Sequence, residues 1–360
     1  MVPAVKAMML KEFRELARDR RTMAMLIVLP VLLLVVFAYA ANFTVSSFRT
    51  YVVGPQATAM AAKLPPAFEV VSVQPASGTS QAHTVLRDGK AAVVFDTTTT
   101  PPTVWVDGAD LLTAQSALAE LGRAGLPVMP KVLFNPELKT SWYMVPALIG
   151  LILAFLGTII TTIGLVRERE AGTLEQLAVM PFRPSDVILG KIAPYFVLNA
   201  VDLVIVVVLG IVLFGVPFVG SVAVFAVGAV FFLFGVLGMG VLISTISQTQ
   251  GQAIQLAILV LLPQILLSGM LFPLAAMPWG VRWIGYVTPL SYFIELSRAV
   301  MLRGAPISAV TVWVPVVVLV GMAAVIFGLA VWRFRVQLAP TRSGKRGPEM
   351  PAETSAAAVA

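Results

Sequence analysis

The chain has 360 residues, 58% of them apolar and only 12% charged, with a formal net charge of +7. Soluble domains carry about 45–50% apolar and about 25% charged residues, so the composition excludes a soluble globular enzyme. The absence of cysteine excludes disulfides, thiolate metal sites and cysteine nucleophiles, and a single histidine, His83, leaves nothing for a zinc site or a His-based triad.

The first predicted element lies over residues 1–21. Val5, Met9, Phe13 and Leu16 recur at helical spacing, opposite Lys11, Arg14, Arg18 and Arg21. Such a helix lies in the headgroup plane of a membrane with its apolar side down; a charged leader that only orients the chain is the plainer alternative. Six apolar runs then follow, over residues 22–41, 143–166, 192–214, 218–246, 252–272 and 310–332. Each reaches the roughly 20 residues a helix needs to cross a bilayer. Ala38-Tyr39-Ala40 has the small-x-small form of a signal cleavage site. The run before it is longer than the 7–15 apolar residues of a signal peptide and the segment ahead of it contains Glu12, Glu15 and Asp19, which favours an uncleaved first span.

Residues 42–141 differ in kind. Basic and acidic side chains balance there, and short β-rich runs (51–53, 68–73, 91–95, 103–106) alternate with helix-compatible stretches (56–64, 81–88, 111–123). That alternation predicts a small folded α/β domain outside the cytoplasm, with His83 as an ordinary surface residue. Gly235, Gly238 and Gly240, inside the fourth run, fit close helix packing rather than phosphate binding. Before the last span, residues 273–307 hold charges and Pro289, with about 7 and 12 helix-compatible residues on its two sides. At 1.5 Å per residue neither piece crosses a core of about 30 Å. A re-entrant helical hairpin is the economical reading, its irregular backbone covered by protein or water. The tail 335–360, rich in Pro, Gly, Ser and Ala, is expected to be disordered.

The basic residues concentrate before the first span, between the second and third, and after the sixth. With six spans all three clusters fall on one side, which the positive-inside rule makes cytoplasmic, both termini included. The net charge is therefore a topology signal and not a nucleic-acid footprint, and no nucleic-acid partner is expected.

No G-x-x-x-x-G-K-[ST], H-E-x-x-H or G-x-S-x-G pattern occurs, so no catalytic residue, metal or cofactor is assigned to this chain. The most informative stretch follows the second span. Thr173 and Gln176 have capping-box spacing and Pro181 ends the helix they start, leaving Leu174, Leu177, Ala178 and Met180 on a helix too short to stand alone. Such residues need a partner, unless the helix lies on the bilayer. Asp202 stands eleven residues beyond Lys191, about 16 Å into the third span, where a carboxylate is costly unless paired or wet. Glu295 and Arg298, three apart, are placed to meet on one helix face.

Taken together these residues resemble the membrane subunit of an ABC-2-type exporter, over nearly the whole chain. The strongest match is the E-R-E-x-G-T-x-E-x-L pattern from Glu168 to Leu177, followed by Pro181 and by Gly190-Lys191. The Lys11-Glu12-Phe13 and Arg18-Asp19-Arg20-Arg21 runs resemble the family's entry helix, and Pro289-Leu290-Ser291-Tyr292 through Gly304 its outer hairpin. The large domain after the first span is similar to that of multidrug and linearmycin-resistance permeases. The resemblance implies an α-helical membrane protein of six spans in the cell membrane. It also implies a dimer with a second permease subunit, surrounded by lipid and driven by separate cytoplasmic ATPase subunits that hold ATP and Mg. The coupling helix would then be residues 168–181, with Glu168, Glu170, Gly172, Thr173, Leu174, Glu175, Leu177 and Pro181 as its working residues. Asp202, Pro289, Glu295 and Arg298 would belong to the gate or translocation path, and the cargo would be a hydrophobic or amphipathic compound. An ion-coupled carrier would need more buried ionisable groups than Asp202 and an internal repeat, and a receptor or scaffold would need no re-entrant hairpin.

Overall fold

The structure, a computed structural model, describes Val31, residues 45–172 and residues 184–338. The helix expected over 1–21, the first apolar run, residues Thr173 to Pro181 and the tail from 339 lie outside the described residues.

The first unit is a mixed five-stranded sheet. In chain order its elements are β1 (Phe48–Val53), α1 (Ala57–Ala61), β2 (Phe68–Gln74), α2 (Thr79–Arg87), β3 (Val93–Asp96), β4 (Thr103–Asp107), α3 (Leu111–Ala124) and β5 (Met129–Leu133). The strand order is β2-β1-β3-β4-β5, all neighbours being parallel except β3 and β4. Period-two alternation divides its side chains between two apolar layers. Val52, Val93, Phe95, Val104 and Val106 pack with α1 and α3, while Val53 and Val94 pack with α2 on the other face. β5 was not expected from the sequence. His83 is exposed on α2 with its ring edge-on to Trp105.

Asn135 joins this unit to the helices. Its side chain accepts from the Lys139 amide at 2.9 Å and donates to the Lys139 carbonyl at 3.1 Å, and the chain then enters α4 (Thr140–Glu170). Four further long helices are α5 (Pro184–Phe214), α6 (Val222–Ile246), α7 (Gln250–Leu267) and α10 (Val310–Leu338). Between the last two lie a 3-10 turn (Leu274–Ala276), α8 (Trp279–Val287) and α9 (Pro289–Met301). Five of the described helices are long and apolar enough to cross a membrane.

Two expectations change. The fourth apolar run enters its helix only at Val222, because Gly215 turns the chain with φ +62° and residues 216–221 run on as irregular backbone along α9. There the Val219 amide donates to the Met301 carbonyl at 3.0 Å, and Ser221 then caps α6 by accepting from Val224. The last helix continues to Leu338, so the tail expected to be disordered from 335 begins as helix. Among the three glycines of the fourth run, Gly238 and Gly240 sit at real close approaches. A Cβ on Gly240 would lie 2.9 Å from the Thr158 carbonyl, and one on Gly238 3.3 Å from Phe327 backbone, whereas Gly235 has only Pro289, at 4.0 Å. α9 lies within the apolar centre of the bundle, with Phe293 stacked on Phe232 at 4.3 Å.

Candidate functional site

Apart from Asp202 on α5, the residues singled out by sequence that the structure describes fall at the two ends of α4. At its C-terminal end, Arg169 and Glu170 meet the turn between α6 and α7. The Arg169 guanidinium donates to the carbonyls of Ser247 at 2.6 Å and Thr245 at 3.5 Å, the open end of α6. The Glu170 carboxylate accepts from the Gln250 amide at 3.0 Å and its side-chain amide at 2.5 Å, at the first residue of α7. A helix ends in unsatisfied carbonyls with partial negative charge and begins with unsatisfied amides of partial positive charge. Neighbouring residues of opposite charge thus complement the two helix ends of one turn. Glu168 pairs with Lys191 on α5. Gly172 closes α4 with φ +71°, donating to the Arg169 carbonyl at 3.0 Å. That left-handed position is what a glycine after a helix supplies most cheaply. The glycine of the E-R-E-x-G-T pattern therefore has a backbone reason. Thr173, Leu174, Glu175, Leu177 and Pro181 lie outside the described residues.

Asp202 is half-buried on α5, with no hydrogen bond or ion pair among the described residues. It shares the helix with Val201, Val204, Ile205 and Val208, all exposed.

At the other end of α4 stands the α8–α9 corner. Thr288 ends α8 and precedes Pro289, the first residue of α9, where a missing N–H costs nothing and φ is already helical. The Thr288 hydroxyl donates to the Gly285 carbonyl at 2.9 Å and that of Ser291 to the same carbonyl at 2.7 Å, which fixes the bend. Arg298 does not pair with Glu295 as the spacing predicts. Its Nε donates to the Tyr143 carbonyl at 3.4 Å and Nη1 to the Gly269 carbonyl at 3.2 Å, with the guanidinium 3.7 Å above the Tyr143 ring. The Gly269 carbonyl just past the end of α7, the Tyr143 carbonyl in the first turn of α4 and the Tyr143 ring hold the cation without a carboxylate. Glu295 instead faces a cavity of about 470 Å³ between the sheet unit and the α8–α9 corner.

The carboxylate with a buried cation here is Asp107, at the end of β4. Arg303 donates to its Oδ2 from Nε at 2.9 Å and approaches it from Nη2 at 2.7 Å, while Oδ1 accepts from the Ala109 amide at 3.0 Å. Burial raises the pKa of Asp107, and Arg303 opposes that rise. Burial works against the Arg303 cation too, but Asp107 beside it, together with the charges of Asp110 and Glu295, outweighs this and holds its pKa above the ordinary value. Asp107, Tyr143 and Gln250 were not singled out by sequence: their partners are 196, 155 and 80 positions away.

Comparison with known proteins agrees with this architecture. The chain is 27% identical over 360 residues to the probable multidrug ABC transporter permease YbhS of Escherichia coli, covering 90% of this chain and 95% of that protein. It is 36% identical over 210 residues to the inner membrane transport permease YhhJ of Escherichia coli, 56% of this chain and 54% of that one. ABC transporter G family member 20 of Dictyostelium discoideum matches at 28% over 204 residues, 57% of this chain and 28% of its own length. The family model for the ABC-2 family transporter protein matches residues 20–332, so the chain belongs to the ABC-2 transporter family and is a multi-pass membrane permease of that type.

Proposed function

We propose that this chain is one subunit of a dimeric exporter permease, driven by a separate ATPase that docks on residues 168–181 and holds the ATP and Mg. Both termini and the docking segment face the cytoplasm. The sheet unit lies outside, and α8 and α9 form a hairpin that enters the outer leaflet and returns. At 9 and 13 residues, about 14 and 20 Å, neither helix is long enough to cross. The cargo is hydrophobic or amphipathic, a reading supported by relatives named as multidrug permeases. Asp202 belongs to the subunit interface or the polar path, and Pro289, Glu295 and Arg298 to the outer gate.

The observation that carries this reading is the clamp at the end of α4. Arg169 and Glu170 tie the helix leading into the docking segment to the α6–α7 turn, so displacement of that segment is passed to three helices at once. Leu174→Asp with Leu177→Asp tests it by copurification with the ATPase in detergent. Two buried leucines are worth about 1.5–3 kcal/mol each, so association should weaken by about two orders of magnitude or more. Glu170→Ala should leave association intact and lower transport-coupled ATP hydrolysis. Unchanged association and hydrolysis in the double variant would overturn the docking site.

A further inference from the structure

The cavity between the sheet unit and the α8–α9 corner contains more cationic donors than its own acceptors use. Of the charged groups lining it, Asp107 and Arg303 satisfy each other, and Asp110 caps α3 by accepting from the Thr113 amide and hydroxyl. Arg298 is only 9% exposed, and with Nε and Nη1 committed its Nη2 is buried with no partner. Arg282 reaches the cavity from α8. One of its amino groups donates to the Ala275 carbonyl, and its Nε is also buried without a partner. Arg49 adds a third cation at the rim. Against these stands Glu295, which makes no hydrogen bond or ion pair among the described residues. A buried guanidinium N–H without an acceptor is costly, and two guanidinium groups with such an N–H line this one cavity, a lining suited to an anion with several oxygens.

The mouth of the cavity adds a second property. Tyr286 lines the cavity and is also exposed, and on the same short helix Trp279 is 71%, Trp283 50% and Val287 63% exposed. Tryptophan and tyrosine of this kind sit where headgroups meet hydrocarbon. A cationic pocket of about 470 Å³ is within the usual range for small-molecule sites, and here it opens beside an apolar aromatic ridge.

We infer that this cavity is a binding site for the anionic headgroup of an amphipath. A phosphate or carboxylate is held by Arg298 and Arg282, and the hydrocarbon chain lies along α8. The inference rests on the amphipathic cargo proposed above and narrows it to anionic compounds.

The test is equilibrium binding of a radiolabelled short-chain phosphatidylglycerol to the full chain in non-ionic detergent. Short-chain diacylglycerol, which has no phosphate, and inorganic phosphate are run in parallel. The anionic lipid should bind at least tenfold tighter than either, since a charge-assisted bond to Arg is lost with one probe and the apolar contact with the other. Arg282→Gln should weaken it about tenfold. Glu295→Gln should strengthen it several-fold by removing a like charge, a gain that a merely destabilised fold would not produce. Equal affinity for the two lipids, no response in both variants, or phosphate binding as tightly as the lipid would each overturn the assignment. No ATPase is present in this assay, so its failure is distinct from failure of the docking site.

Discussion

Among the described residues the Asp107–Arg303 pair is the one ion pair that ties the sheet unit to the helices, and its energetic weight follows from its burial. The side chains are 5% and 11% exposed, and two guanidinium nitrogens converge on one carboxylate oxygen within 2.9 Å. Removing one partner of a buried pair strands the other and costs about 3–5 kcal/mol, whereas replacing both by apolar groups of similar volume is often nearly neutral. Arg303→Met removes both guanidinium nitrogens that hold Asp107 Oδ2, so it should cost close to the full amount. Asp107→Leu with Arg303→Met should recover much of it. At a factor of ten per 1.4 kcal/mol, the single variant should exchange the backbone hydrogens around 105–109 and 299–305 about two to three orders of magnitude faster, if this tie limits their opening. The assay is hydrogen–deuterium exchange on the full chain in detergent, closed as a double-mutant cycle. Single effects that simply add in the double variant would show that the two charges do not depend on each other, and would refute the reasoning.

Gly240→Val places a Cβ 2.9 Å from the Thr158 carbonyl and should destabilise by about 1–3 kcal/mol through overpacking; Gly280→Ala, with nothing within 4 Å, serves as the control in thermal unfolding. Asp96 gives a pH dependence. Burial opposes its charge, but hydrogen bonds from the Thr98 hydroxyl and amide, Thr79 and Trp105 together outweigh burial and hold its pKa below the ordinary value. A depressed carboxylate pKa stabilises the fold above about pH 4 and loses that contribution as pH falls through the folded-state value. Unfolding of the wild-type chain should therefore steepen below about pH 4, and Asp96→Asn should lack that component; identical acid profiles would count against the network.

What could be read from the sequence was whatever is local. Alternation revealed four strands and three helices of the sheet unit, but β5 carries Pro130 and Lys131 within Met129–Leu133 and reads as loop. It is tolerated because it lies at the sheet edge, paired to β4 alone, where one side of the strand has no ladder to serve. Hydropathy places a span wherever apolar residues continue. It cannot separate α6 from the irregular residues 216–221 ahead of it, because both are apolar and only the backbone partners differ. The same limit applies at the site. The spacing of Glu295 and Arg298 is correct for a helical pair, yet the Tyr143 and Gly269 carbonyls won the guanidinium. Backbone acceptors have no signature in the sequence, and these approach only after distant helices pack.

The arrangement of α4 gives the proposed coupling a mechanical basis. The helix has 31 residues, about 46 Å at 1.5 Å each, more than the hydrocarbon thickness. Its first turn carries Tyr143, under the Arg298 guanidinium, and its last carries Arg169 and Glu170. Between them Gly150 faces Phe293 and Leu290 of α9, and Thr158 and Thr161 face Gly240 of α6. Pro146 removes one backbone hydrogen bond near the start of α4, but beyond it contacts with α9 and α6 make bending costly in packing. On the proposed reading a displacement at Glu170 is therefore met chiefly by a tilt of the helix from Gly150 onward, passed to Tyr143 across Pro146. Tyr143 then shifts beneath Arg298, the residue that also lines the cationic cavity. Opening the outer corner and releasing a bound headgroup would follow from one motion, because the same guanidinium is held by the helix and by the ligand.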